Sequence, residues 1–191
     1  MQLILASQSP RRRELMGLFS RPFCVRVADI DETMDSAKPA GDEVARVSLM
    51  KAKAIPHDPD DVVVAADTIV VCDGKVLGKP KSEEDAFRIL SLLSGKDHQV
   101  MTGLAVLRGD RATVCTEVTD VHFRPLTDEE ITAYIRTGEP MDKAGAYGIQ
   151  GFGALFVERI VGDYYNVMGL PLCRLGQVLK TIAPEWMEEQ L

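Results

Sequence analysis

Ser7-Gln8-Ser9-Pro10-Arg11-Arg12-Arg13-Glu14-Leu15 sets two hydroxyls and three guanidinium groups at the start of a helix. Ser9 reads as its N-cap and Pro10 as its first residue. Cations in a first turn oppose the helix macrodipole, which already puts positive partial charge there. Two readings resolve the conflict. Either the arginines are solvated or paired with acids such as Glu14, or an anion binds among them. A phosphate would meet backbone N–H groups and arginine forks at that helix N-terminus. The strand expected before it and the two serines favour the phosphate, with Arg13 the arginine most readily explained as structural.

Asp67 interrupts an apolar run, Val62-Val63-Val64-Ala65-Ala66 before it and Ile69-Val70-Val71 after Thr68. A charge there needs a partner, a metal or a proton. At a strand end facing a cleft it could hold a divalent cation and activate water. The alternative is that the strand stops at Asp67 and the side chain caps a turn. Lys79, in Gly78-Lys79-Pro80, sits on extended backbone and could project toward phosphate. Lys51 and Lys53 are similar candidates on a helix. Asp31-Glu32 offers carboxylates for a metal, or simply exposed loop acids. Glu139-Pro140-Met141-Asp142-Lys143-Ala144-Gly145-Ala146-Tyr147-Gly148-Ile149-Gln150-Gly151, followed by Gly153, is dense in glycine. That density implies close backbone approach or unusual dihedrals. It matches no Walker or dinucleotide fingerprint, and a tight connection would also explain it. Gln150 within it carries both a donor and an acceptor, which suits a uracil or thymine edge.

The elements that must position these residues follow from periodicity and punctuation. Gln2 to Ala6, Phe23 to Val27, Val62 to Val71 and Ala154 to Val161 read as strands. Asp42 to Ile55 has apolar residues at helical spacing. Asp73-Gly74 signals a hairpin turn, and Gly109-Asp110 joins two long alternating stretches, His98 to Leu107 and Ala112 to Phe123. Ser82 to Asp85 resembles a capping box, and Thr127 to Glu130 is a full one. Gly138 closes the helix that Thr127 starts, and Leu170-Pro171 opens the last helix. Strands and helices mix without strict alternation, which predicts an α/β fold with a mixed, strongly twisted central sheet and flanking helices. Residues 1–191 show no repeat or linker and read as a single domain. The tail from Ala183 to Leu191 is the segment most prone to fray.

A net charge of −7 and a pI near 5.0 argue against a nucleic-acid coat or a membrane-surface role. No run approaches a membrane span, and Met1 to Ala6 is too short for a signal peptide, so a cytoplasmic location is expected. Cys24, Cys72, Cys115 and Cys173 form no Cys-x-x-Cys pair and are expected to be reduced and mostly buried.

Taken together, these motifs resemble the Maf family of nucleotide pyrophosphatases. The matching segments are Ser-x-Ser-Pro-Arg-Arg-x-Glu-Leu at Ser7 to Leu15, Ala-Asp-Thr at Ala66 to Thr68, Gly-Lys-Pro at Gly78 to Pro80, and the stretch from Glu139 to Gly151. The resemblance spans nearly the whole chain, and the last stretch looks like the branch that cleaves dTTP and UTP. It implies a Maf/ITPase-like fold with two lobes around a cleft, and it admits a homodimer. It implies Asp67 as proton acceptor. It gives Arg11, Thr68 and Gln150 an influence on substrate choice, and puts Ser7, Arg12, Glu32, Lys51 and Lys79 at a phosphate and metal site. Mg²⁺ or Mn²⁺ would sit on Glu32, with Asp67 a second ligand. The implied reaction converts a pyrimidine nucleoside triphosphate, or a modified form of one, to monophosphate and pyrophosphate. A nucleotide-binding regulator of cell division with little turnover is the alternative, and a pyrophosphatase for modified purines a further one. Ala66 stands where the family often has glycine.

Overall fold

The computed structural model describes residues 1–188. Its strands are β1 (Leu3–Leu5), β2 (Cys24–Val25), β3 (Val62–Cys72), β4 (Lys75–Leu77), β5 (Asp97–Arg108), β6 (Arg111–Phe123) and β7 (Val157–Val161). Its helices are α1 (Pro10–Gly17), α2 (Ala40–Lys53), α3 (Glu83–Leu93), α4 (Asp128–Ile135), α5 (Tyr164–Met168), α6 (Leu172–Ile182) and α7 (Pro184–Glu188). Short 3-10 helices occupy Glu139–Asp142, Ala144–Ala146 and Phe152–Phe156.

Polar side chains start three of the helices as expected. Ser9 accepts from the Arg12 N–H, Ser82 from Asp85 and Thr127 from Glu130, and Glu130 completes the capping box by accepting from the Thr127 N–H. Gly138 ends the segment after α4 with a φ of 75°. Asp73 and Gly74 both take positive φ, as the tight turn between β3 and β4 requires.

The seven strands form one sheet of order β2-β1-β3-β5-β6-β7, with β4 paired to β3. β1 runs parallel to β2 and β3, whereas β3–β4 and β6–β7 are antiparallel. The fold is therefore mixed α/β. β3 runs unbroken through Asp67 and Thr68, so the alternative of a strand ending at Asp67 does not hold. Two expectations need correction. The strand expected from Ala154 begins only at Val157: Phe152–Phe156 is a 3-10 helix, in which the Ala154 N–H donates to the Gly151 carbonyl and the Val157 N–H to the Ala154 carbonyl. The cysteines are all free, but only Cys72 is buried.

The chain divides into two compact units. The first comprises Met1–Asp67, Thr102–Glu117 and Gly169–Leu191, and the second Thr68–Met101 and Val118–Met168. In the first, Ile4, Val63, Ala65 and Ala105 of the strands pack with Ala52 of α2 and Ile55 beyond it. α2 approaches β5 so closely that a Cβ at Gly103 would overlap the Val44 carbonyl. α7 carries a buried Trp186 that packs at a tilt against Phe19, and Arg21 donates to the Trp186 carbonyl. Residues 189–191 lie outside the described residues.

In the second unit, α3 and α4 bury Ile89, Leu90, Leu93, Ile131 and Tyr134 around Phe123, Tyr147 and Phe156. His98 is enclosed among these rings, edge-on to Phe123 and Tyr147, with Nε2 2.8 Å from the Tyr147 hydroxyl. Burial lowers the His98 pKa from 6.5 to about 4; His122 adds to the shift and Asp97 opposes it. The folded state thus binds this proton less readily than the unfolded chain. The stabilising effect of the neutral ring is complete above pH 6.5 and is lost as pH falls toward 4. The full swing is on the order of 3 kcal/mol. Urea unfolding from pH 7.5 to 4.5 should show wild type losing stability faster than His98→Gln below pH 6.5. Parallel curves would remove His98 as a source of acid sensitivity.

Candidate active site

The chemistry of the first unit gathers on Lys51. Its Nζ lies 2.7 Å from Asp67 Oδ1 and 2.9 Å from Glu32 Oε2. The Lys51 and Asp67 side chains are 15% and 13% exposed, while Glu32 is 57% exposed. Because Lys51 neutralises the carboxylate in place, β3 can carry Asp67 without breaking, and no turn forms there. Lys51 occupies the last turn of α2, where the helix dipole favours a cation, and Asp42 and Glu43 occupy the first turn, where it favours anions.

The loop bearing Glu32 is tied to the same helix. Buried Glu43 accepts from the Asp35 N–H at 2.8 Å and from the Arg46 guanidinium, and Arg46 Nη2 donates to the Thr33 carbonyl at 2.8 Å. These hydrogen bonds, Arg46 first and the Asp35 N–H second, hold the Glu43 carboxyl down to about 2. Glu43 and Arg46 read as an ordinary helix pair; their positioning role was not legible, because they reach the loop through the main-chain atoms of Asp35 and Thr33, which carry no sequence pattern.

Arg12 leaves the first turn of α1 and reaches inward. Nε donates to the Gly169 carbonyl at 2.7 Å and Nη1 to Ser7 Oγ at 3.3 Å. Ser7 is buried and also accepts from the Ser9 N–H. Crowding by protein lowers the Arg12 pKa; the negative field of Asp67 opposes the shift, neighbouring Arg11 adds to it, and Glu32 opposes it. Ser7, Arg11, Arg12, Glu32, Lys51 and Asp67 are therefore one electrostatic group within the first unit. Arg13 is exposed. The Gly169 carbonyl is a partner that no sequence signal announced.

Two carboxylates converging on one ammonium also form a position that a hard cation would suit, since Mg²⁺ and Mn²⁺ prefer oxygen donors. Among the described residues no group of three His, Cys, Asp or Glu side chains could hold a metal ion. Protein ligation would rest on Glu32 and Asp67, which fits a cation that keeps several waters and shares substrate phosphates.

The second unit carries Thr68, Lys79 and Gln150. Thr68 follows Asp67 on β3 and is half-buried, Lys79 is exposed after β4, and Gln150 is exposed on the glycine-dense stretch. Glu139 organises that stretch. It accepts from the Tyr134 hydroxyl at 2.8 Å, the Phe152 N–H at 2.9 Å and the Gly153 N–H at 3.2 Å. The Tyr134 oxygen in turn accepts from the Gly148 N–H at 3.2 Å. The glycines are required sterically. A Cβ at Gly151 would overlap the Glu139 carboxylate, and one at Gly153 would lie 2.8 Å from the Gly148 carbonyl and 2.9 Å from the Tyr134 oxygen. An acid standing just ahead of so many glycines was the signal that could have revealed its role.

Residues 2–182 match the family model described as Maf-like protein. A dTTP/UTP pyrophosphatase of Symbiobacterium thermophilum is 52% identical over 179 residues, covering 93% of this chain and 92% of the relative. A dTTP/UTP pyrophosphatase of Geobacillus is 50% identical, covering 95% and 98%. Among solved structures, a HAM1 protein from Coxiella burnetii is similar with a TM-score of 0.50 at 16% identity, covering 95% of this chain and 99% of that one. That last likeness concerns the fold alone. No helix among the described residues is long and apolar enough to cross a membrane. A family match over nearly the full length, joined to half-identical relatives, establishes that this chain belongs to the Maf family.

Proposed function

We propose that this chain is a metal-dependent nucleoside triphosphate pyrophosphatase that hydrolyses dTTP and UTP to the monophosphate and pyrophosphate. The observation that carries the reading is the largely buried Asp67 carboxylate, held by Lys51 and within the field of Arg12. A binding pocket for a triphosphate needs the cations. Without a metal it has no need of a carboxylate aimed among them, which would repel the ligand. A hydrolase does, because water must lose a proton as it attacks. The half-identical relatives named dTTP/UTP pyrophosphatase support the same class and substrate.

In this reading a water oxygen forms a bond to the α-phosphorus while the bond to the bridging oxygen of the β-phosphate breaks. The water proton passes to the Asp67 carboxylate, and the electron pair leaves on pyrophosphate. Lys51 orients Asp67 and, with Arg12 and Arg11, offsets charge developing on the phosphoryl oxygens. Arg12, held by Ser7 and Gly169, meets the substrate with little rearrangement. A divalent cation on Glu32 and Asp67 would polarise the phosphoryl oxygens. Lys79 is proposed as a further phosphate contact, and Thr68, Arg11 and Gln150 as residues that bias substrate choice. Gln150 carries the donor–acceptor pair a uracil or thymine edge requires. Modified pyrimidine triphosphates present the same edge and belong to the proposed substrate class.

Asp67→Asn should lower kcat for dTTP by roughly 10²- to 10⁴-fold, the range for loss of a general base. Its affinity for a non-hydrolysable dTTP analogue should stay within an order of magnitude of wild type. Full turnover in this variant would end the assignment of Asp67 as base.

A panel of nucleoside and deoxynucleoside triphosphates, with monophosphate and pyrophosphate quantified, should show dTTP and UTP converted in preference to purines. Chelation should abolish turnover, and Mg²⁺ or Mn²⁺ should restore it. Undiminished activity in excess chelator would refute metal dependence, and binding without turnover under either metal would favour the regulator.

A further inference from the structure

We infer that Glu139 and Tyr134 are positioning residues for base selection: together they clamp the backbone of residues 148–153 and so fix how Gln150 is presented. The inference rests on the reading of Gln150 as the base-contacting residue and deepens it.

The clamp is visible in its hydrogen bonds. Both oxygens of one carboxylate are occupied, Oε1 by the Tyr134 hydroxyl and the Gly153 N–H, Oε2 by the Phe152 N–H. The Tyr134 oxygen accepts from the Gly148 N–H, so the two side chains hold the segment on both sides of Gln150. Tyr134 is buried, and burial together with Glu139 raises its pKa, which keeps the phenol a donor. Glu139 is itself held from behind, because Lys143 Nζ donates to its main-chain carbonyl at 2.7 Å. Gln150 is exposed, and its placement is inherited from backbone that Glu139 and Tyr134 fix. A base-reading amide must be held within a fraction of an ångström to discriminate, and such precision comes from supporting contacts.

Substitution chemistry makes the inference testable. Glu139→Gln preserves size but carries one acceptor oxygen and an NH₂ group. In either orientation the NH₂ faces a backbone N–H donor, so at least one hydrogen bond is lost. Tyr134→Phe keeps the packing and removes the acceptor of the Gly148 N–H. Wild type, both variants and Gln150→Ala would be compared for kcat and KM with dTTP and GTP, for amide exchange over residues 148–153, and for urea stability.

In Glu139→Gln the KM for dTTP should rise roughly tenfold or more, as for loss of a charge-assisted hydrogen bond, with kcat changed much less. The preference for dTTP over GTP should narrow, and exchange over 148–153 should accelerate while other core amides stay protected. Tyr134→Phe should do the same more weakly. Gln150→Ala should narrow the preference without accelerating exchange. Unchanged exchange in both clamp variants would overturn the inference. Faster exchange with full preference retained would also overturn it. In that case, a normal preference in Gln150→Ala would place the failure in the reading of Gln150, and a narrowed one would place it in the clamp. Should Glu139→Gln fail to fold, Tyr134→Phe decides by the same two readouts.

Discussion

A carboxylate in the middle of an apolar strand is the constraint around which the first unit is built. Asp67 sits on β3 between buried Ala66 and half-buried Thr68, with Ile69 and Val70 buried beyond. An ionised group so enclosed is strongly unfavourable without a paired and hydrogen-bonded partner. Lys51 is that partner, and its reach depends on where α2 lies. α2 is set by burial of Val44, Val47 and Ala52 and by its close approach to β5, which Gly103 permits. Packing thus fixes an ammonium, the ammonium fixes a carboxylate, and Glu32 joins because its loop is tied to the same helix by Glu43 and Arg46. The strength of the pair comes from partial burial. An ion pair on open surface would contribute little and would hold neither group in place.

The second unit solves a different problem with the same residue type. There a carboxylate pairs with no cationic side chain across a strand. Glu139 instead takes backbone N–H groups that would otherwise stay unpaired at the start of the 3-10 helix Phe152–Phe156. Backbone N–H groups need partners wherever they are withdrawn from water. Once a side chain supplies them, the chain can come close enough that only glycine fits at 151 and 153. The glycine density and the glutamate are one feature seen from two sides.

Much of the fold was legible because its signals are local. Ser9, Ser82 and Thr127 cap helices with their own side chains, and Asp73-Gly74 adopts the positive φ that its turn requires. Candidate residues also announced themselves by conflict with local rules: arginines at a helix N-terminus and an acid in a β-branched run. What could not be read was decided by distant partners. Whether β3 stopped at Asp67 depended on Lys51, which lies on another element. Ala154 to Phe156 looked like the start of a strand, but the turn that Glu139 holds at Phe152 and Gly153 carries them into a 3-10 helix. Nothing in the sequence announced that Trp186 would pack against Phe19 and take a hydrogen bond from Arg21. Arg12 was singled out from its neighbours by a carbonyl at Gly169, which carries no sequence signature.

The arginine conflict at α1 and the carboxylate conflict at β3 are parts of one balance. Within the first unit the candidate site gathers Arg11, Arg12 and Lys51 against Glu32 and Asp67. The acids temper the repulsion between the arginines and the positive end of α1, which lets the cationic cluster exist before any substrate arrives. They also leave only a slight excess of positive charge to receive a triphosphate that bears several negative ones. The cluster can orient such a ligand but is poorly matched to it in charge. The proposed divalent cation would close that gap at the place where the carboxylates are, turning the two acids from repulsive neighbours of the phosphates into ligands that hold them. Lys51 keeps both carboxylates in place in the free protein, and the cation would add its charge to the same pair while Lys51 goes on orienting Asp67.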